Sequence, residues 1–348
     1  MRIGIIGAGF VAQNVHIPIY HLHPDVTLSA ICDHDPVSLN YTSKIYNIER
    51  VYTNHRELLQ DPDIDAVIIT LPRRLTFNVV FDAIDAGKWV FTEKPLCLNW
   101  LNGSRLQQLC NLRKVGIQIG YMKRFDAVTT LAKDIIQEKK SLETLKTVNM
   151  RCLMGDSYAG TTNCVREGRV VSTNTNNEML PECINQKFHW SYEQYINVFS
   201  HMTSLIEYIL DSELELSFAD LNENGEGIVV FRCDGIPVSF HTVRGIQKGW
   251  EEDIEFIHSR TCIKVVYPAA FLRNVPGTLC ISGSSLHREY QTLTPLPSWA
   301  FTHQANMFVN RFKSGYNFEA NTKELDSAIR QVKLAEQIYN MYVEGSRS

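Results

Sequence analysis

The sequence predicts an α/β fold: a doubly wound parallel sheet comes first, followed by a C-terminal α+β part built on a largely antiparallel open sheet. Three observations carry this reading. Over the first third, short apolar runs alternate with stretches of helical periodicity. A glycine-rich turn joins the first run to the first such stretch. Beyond about residue 122 the pattern changes to strand-like runs separated by polar turns such as "NENGEG". The division is placed at 1–120 and 121–348, with the C-terminal helix able to pack back on the first part.

"RIGIIG" (2–7) reads as a strand, and Val11, Val15, Ile19 and Leu22 recur at helical spacing after it. The junction "GAGFVA" is a dinucleotide fingerprint with alanine in its third slot, which makes the first part a Rossmann-type domain. Gly7 allows the tight turn, Gly9 lets backbone approach a pyrophosphate, and Ala12 keeps helix close to strand. The helix N-terminus offers N–H groups to the phosphates. "VTLSAICD" (26–33) is the second strand, and Asp33 falls 24 residues after Gly9, where a carboxylate takes ribose hydroxyls. The competing reading makes Asp33 a helix N-cap before "HDPVSL". An acid there repels a 2′-phosphate and no arginine follows at once, so NAD is the expected cofactor and NADP the second choice.

Further units follow in order: a strand near 65–71, a helix in "TFNVVFDAIDAG", a strand in "KWVFTE", a helix in "NWLNGSRLQQLCNLRK" and a strand in "VGIQIGY". Such βα repeats give a right-handed parallel sheet with ligands at the carboxyl ends of its strands. Glu93 and Lys94 stand at one of those ends, and Pro95 keeps Lys94 out of helical backbone.

The formal net charge of −4 excludes the basic face that a nucleic-acid binder needs. No apolar run approaches the roughly 18 residues that cross a bilayer, and "MRIGIIGAGF" has no signal-peptide pattern, so a cytoplasmic protein without membrane attachment is expected. The nine cysteines are scattered, with no C-x-x-C, and read as reduced, mostly buried thiols. The histidines show no ligand spacing either, so no metal site is expected.

"GIIGAGFVAQNVHIP", "DPDIDAVIITLP", "AGKWVFTEKPL" and "GYMKRFD", in this order and spacing, resemble the glucose–fructose oxidoreductase, inositol dehydrogenase and rhizopine-catabolism (Gfo/Idh/MocA) family. The likeness extends to "YINVFSHMTSLIEYIL" and "SWAFTHQANMFVNRFKSG". It implies an NAD(P)-dependent oxidoreductase of sugar-like or other polar small molecules, and a homo-oligomer. It also implies a cofactor site lined by Gly7, Gly9, Phe10, Val11, Ala12, Asp33, Leu71, Pro72, Glu93 and Lys94. Lys94 would touch the substrate oxygen, where an ammonium stabilises developing alkoxide charge; otherwise it is half of an ion pair. Glu93 would anchor this turn or the nicotinamide ribose.

Where the family reads D-x-x-x-H-x-x-D, this chain has Asn197, His201 and Ser204. His201 would exchange a proton with the substrate, and helical spacing puts Asn197 on its face. Without the aspartate charge the imidazole is more often neutral, or an acidic substrate is accommodated. "PRRLT" places Arg73 and Arg74 in a loop, with Thr76 at the family's histidine position. Arg124 joins Lys94, Asn197 and His201 as a substrate contact, or ties the domains together. The polar stretch between Gly155 and Trp190 reads as a functional loop or insertion carrying Arg166 and Arg169. Leu325, Ile329, Val332, Ile338 and Tyr339 mark a packing helix. Two other functions remain in view: a dinucleotide- or ligand-binding sensor without turnover, and a lyase or glycosidase with transient substrate oxidation.

Overall fold

A computed structural model describes residues 1–155, 158, 161–165, 177–245, 249–283 and 290–345. The chain divides into two units. The first takes Met1–Tyr121, Thr162–Pro181 and Phe301–Val332; the second takes Met122–Thr161, Glu182–Ala300 and the chain from Lys333 onward.

The first unit holds a six-stranded sheet made by β1 (Arg2–Ile6), β2 (Thr27–Cys32), β3 (Arg50–Tyr52), β4 (Ala66–Ile69), β5 (Trp89–Thr92) and β6 (Ile117–Ile119). Its order is β3-β2-β1-β4-β5-β6, and every pair is parallel. This is the doubly wound dinucleotide order, in which the chain reverses direction beside β1. β4 shows why the runs read as strands: all four residues of "AVII" are buried, as a sheet covered on both faces requires. The crossovers are α1 (Ile17–Leu22), α2 (Pro36–Tyr46), α3 (His55–Gln60), α4 (Arg73–Asp85) and α5 (Trp100–Arg113). α2 begins at an N-cap, Asp35, whose carboxylate accepts the Val37 and Ser38 N–H groups, so the cap falls two residues beyond Asp33.

The second unit contains α6 (Ala127–Lys139), β7 (Leu145–Met154), α7 (His189–Gln194), α8 (Ser200–Leu210) and seven further strands. These are β8 (Leu214–Leu221), β9 (Gly227–Cys233), β10 (Ile236–Arg244), β11 (Glu251–His258), β12 (Thr261–Tyr267), β13 (Thr278–Gly283) and β14 (Tyr290–Leu293). They form one open sheet in the order β14-β13-β12-β11-β7-β10-β9-β8. Only β7 and β10 run parallel. On one face lie Val148, Met150 and Cys152 of β7 with Phe240 and Thr242 of β10, all buried. α8 is buried along every residue except Tyr208.

Two last helices are α9 (Ala300–Ser314) and α10 (Phe318–Gly345). α9 sends Ala305, Phe308 and Val309 into the core beside Ile3, Ile5, Ala66 and Phe91 of the first unit. From α10, Asn321 and Glu324 accept the N–H groups of Ile117 and Ile119 at 2.8 and 2.9 Å, so the open edge of β6 is closed by side chains. The tail stripe Leu325, Ile329, Val332, Ile338 and Tyr339 is buried throughout. Five of the nine cysteines are buried and only Cys183 is exposed.

Candidate active site

In the first unit the site grows from the end of β1. Gly7 has φ +97°, and a Cβ there would stand 2.5 Å from the Thr70 carbonyl oxygen and 3.1 Å from Leu71 Cδ2. Only glycine serves, because its backbone is wedged between neighbouring strands. The Gly7 N–H donates to Cys32 O at 2.8 Å, and Thr70 Oγ1 donates to Gly7 O at 2.8 Å. Gly9 follows in the turn, and Phe10 and Val11 open the helix. Ala12 is fully buried. The helix closes its first turn by Gln13 N–H to Gly9 O and widens into a π-helical turn over Ala12–His16. A helix start of this kind directs N–H donors outward. Asp33 lies at the end of β2, where its carboxylate accepts Ala8 N–H at 2.6 Å and Asp35 N–H at 2.9 Å. Two bonds leave a carboxylate lone pairs to spare. The donor turn and the adjacent acid are the groups that a pyrophosphate and a ribose need.

Glu93, Lys94 and the cis-bonded Pro95 follow β5. Glu93 Oε1 meets Nε2 of His16 at 2.8 Å, and its Oε2 would stand 2.8 Å from a Cβ on Gly120. Glu93 therefore anchors this turn. His16 is 2% exposed, with its ring 5.0 Å from that of Phe91. Burial pulls the Lys94 ammonium down to about 8; Glu93 opposes the shift and Arg73 adds to it. Pro72 caps α4, so Arg73 and Arg74 form its first helical turn and the expected loop is absent. Proline suits a helix start, so α4 begins before its buried stripe, which opens at Thr76. Thr76, in the next turn, is buried and donates to Pro72 O at 3.4 Å.

Part of the polar excursion belongs to this unit as well. Thr162 N–H and Oγ1 both donate to Asn14 Oδ1 at 3.0 Å, and Val165 is held by Gln13 and by Ser38 Oγ. Farther on, the buried Glu178 accepts Leu98 N–H and Asn102 Nδ2, while its own N–H donates to Arg74 O. Arg166 and Arg169 lie outside the described residues.

In the second unit a π-helical turn, Tyr195–Phe199, precedes α8. Asn197 lies in that turn and His201 in the α-helix after it. His201 is 8% exposed and Ser204 fully buried. Arg124 Nε donates to Ser204 Oγ at 2.8 Å, and its guanidinium lies 6.0 Å from the Tyr208 ring, so this contact runs within the unit. The neighbouring Lys123 is 5% exposed and pairs with Glu252, which also accepts Trp250 Nε1 at 2.6 Å. Sequence reasoning missed His16, Lys123 and Glu252. The first two sit inside quoted motifs, whereas Glu252 carries no local signal and is reached only through the pairing of β11 with β7.

The first unit is thus a dinucleotide-binding domain by strand order, by its glycine turn and by the acid after β2. Residues 1–121 match the Gfo/Idh/MocA oxidoreductase family, described as having an NAD-binding Rossmann fold. Among similar proteins, an uncharacterized oxidoreductase of Bacillus subtilis is 32% identical over 136 residues, 38% of this chain and 39% of that protein. The myo-inositol 2-dehydrogenase of Thermotoga maritima is 30% identical over 137 residues, 39% of this chain and 41% of that enzyme. The chain therefore spans about two fifths of the length of these relatives. The 3-ketoreductase KijD10 of Actinomadura kijaniata, solved with NADP and TDP-benzene, superposes with a TM-score of 0.75 at 15% identity, over 97% of this chain and 96% of that one. The scyllo-inositol dehydrogenase of Lactobacillus casei, solved with NAD(H) and scyllo-inositol, gives 0.72 at 18% identity, over 99% and 97%. These two likenesses establish the fold across both units.

Proposed function

We propose that the protein is an NAD-dependent oxidoreductase acting on a secondary alcohol, ketone or imine carbon of a sugar-like or other polar metabolite. The observation that carries this reading is Lys94. It stands at the carboxyl end of a strand in an NAD-binding fold, with its acidity moved toward neutrality. Bound NAD supplies the hydride acceptor or donor. Lys94 and His201 form the acid/base pair: Lys94 stabilises negative charge on the substrate oxygen and can relay its proton, and His201 exchanges the proton. Glu93, fixed by His16, holds the turn from which Lys94 projects. Asp33 favours NAD over NADP, since a second negative charge beside its carboxylate is repelled. The activities of the inositol dehydrogenase relatives supply the substrate class.

Replacing Lys94 by alanine should lower kcat by about 10²–10⁴-fold, the worth of general acid–base help, with the dissociation constant for NAD changing far less. Undiminished turnover in that variant would remove Lys94 from the reaction. A second reading, a sensor that binds dinucleotide without turnover, draws on Asn197 and Ser204 standing where the family has acids. NAD binding with no absorbance change at 340 nm across a panel of polyols and sugar acids would favour it. Product formation without net NADH change would instead identify a lyase or glycosidase cycle.

A further inference from the structure

Arg244 ends β10 on the same face as the buried Phe240 and Thr242, and it is used by nothing described so far. Its guanidinium carbon lies over the ring of Trp190, 4.6 Å from the centroid, a cation–π contact that uses none of its N–H donors as hydrogen bonds. Nη1 is buried without a hydrogen-bond partner among the described residues. The nearby acid, Glu226, is committed elsewhere: Oε1 accepts the backbone N–H of Arg244 at 2.9 Å and Oε2 accepts Asn222 Nδ2 at 2.8 Å. Burial lowers the readiness of this guanidinium to stay charged, and Glu226 only partly offsets that.

A second orphan lies nearby. Tyr195 is 1% exposed and its hydroxyl has no hydrogen-bond partner among the described residues. Its ring lies 5.9 Å from that of Tyr339. The Tyr339 hydroxyl in turn would stand 2.9 Å from a Cβ on Gly225, in the turn that holds Glu226. Arg244 is within electrostatic reach of Tyr339 and Cys152, and Tyr195 of the same two. A buried arginine donor and a buried phenol, neither with a hydrogen-bond partner among the described residues, thus both neighbour Tyr339. A folded chain leaves such donors unpaired at a cost of about 1–3 kcal/mol each unless a ligand or solvent satisfies them.

We infer that Arg244, with its guanidinium over the Trp190 ring, together with the Tyr195 hydroxyl, binds an oxyanion carried by the substrate, a carboxylate or a phosphoryl group. An in-plane fork matches either group through two parallel N–H donors. This deepens the proposed reaction by making its substrate an acidic one, and it rests on the second unit being the substrate-holding part. Asn197, in the same π-helical turn as Tyr195, fits the assignment, because an aspartate there would repel the anion.

The test is thermal unfolding of the full chain with increasing inorganic phosphate, glucose 6-phosphate or glucuronate, each against chloride at equal ionic strength. Wild type should be stabilised by at least one probe. Stabilisation by phosphate and glucose 6-phosphate alone identifies a phosphoryl group, and by glucuronate alone a carboxylate. R244M should melt higher than wild type in chloride, because an unpaired buried charge is removed, and should need roughly tenfold or more probe for the same shift. Arg244→Lys should retain part of the response, and Tyr195→Phe should weaken it while keeping the fold. A wild type indifferent to every probe, or an R244M that melts lower and responds like wild type, overturns the assignment. NAD titration by fluorescence, run in parallel, reports on the oxidoreductase reading separately.

Discussion

Lys94 can titrate within the ordinary working range, because burial pulls its ammonium down to about 8 from 10.5. In the proposed reaction, with Lys94 relaying the alcohol proton, the neutral amine is the useful form in the oxidising direction. The limiting rate should therefore climb as pH rises to about 8 and then level, while the reducing direction declines above it. A pH–rate profile in both directions checks this. The same shift enters stability with a definite sign. The folded state holds fewer protons than the unfolded chain between about 8 and 10.5, so the cost of the buried charge is full below that window and relieved as pH rises through it. K94M should accordingly be more stable than wild type at pH 7, by on the order of 1–3 kcal/mol, and equal to it above the window. At this scale the sequence disclosed positions tied to local motifs. Gly7, Asp33 and Lys94 could be placed because each needs only its own turn or strand end. The partners of Glu93 and Lys123 could not, because His16 and Glu252 reach them from distant positions in the chain.

Elements differ in how much of themselves they announce. β1, β4 and β5 were legible as apolar runs, and Asn99 before α5 and Asp35 before α2 behave as ordinary N-caps. The boundary of α4 was misplaced because its arginines do not continue the apolar stripe, although Pro72 fixes the start. The π-helical turns were invisible, since hydrophobic spacing does not betray one extra residue in a turn. β6 illustrates a dependence that no local pattern carries. Its outer N–H groups are satisfied by Asn321 and Glu324, 204 and 205 residues away. Asn321→Ala should cost about 1–3 kcal/mol by leaving the Ile117 donor unpaired inside the protein. Denaturant unfolding measures that loss, and amide exchange at Ile117 should quicken more than at Ile5 of the central strand.

At the scale of the whole molecule, the parallel and antiparallel sheets were both foreseeable from their periodicities, whereas the sharing of the chain between units was expected only as a C-terminal helix packing back on the first part. A boundary near residue 120 follows from the end of the βα alternation. The return of Phe301–Val332 to the first unit follows from Phe308, Val309 and Asn321, whose destinations depend on a surface formed some 200 residues earlier. The portion that sequence comparison isolates, 1–121, is accordingly smaller than the body that must fold to hold a cofactor. A protein truncated after Tyr121 would lose the Phe308 side chain from its core, worth about 3–5 kcal/mol in comparable deletions, and would present an unguarded strand margin to its neighbours. Such a truncation should aggregate or stay partly unfolded on expression. A chimera that rejoins 301–332 through a flexible linker should regain solubility and dinucleotide affinity. Evolution has thus stitched the cofactor half from several separated lengths of chain, and no single cut can release it intact.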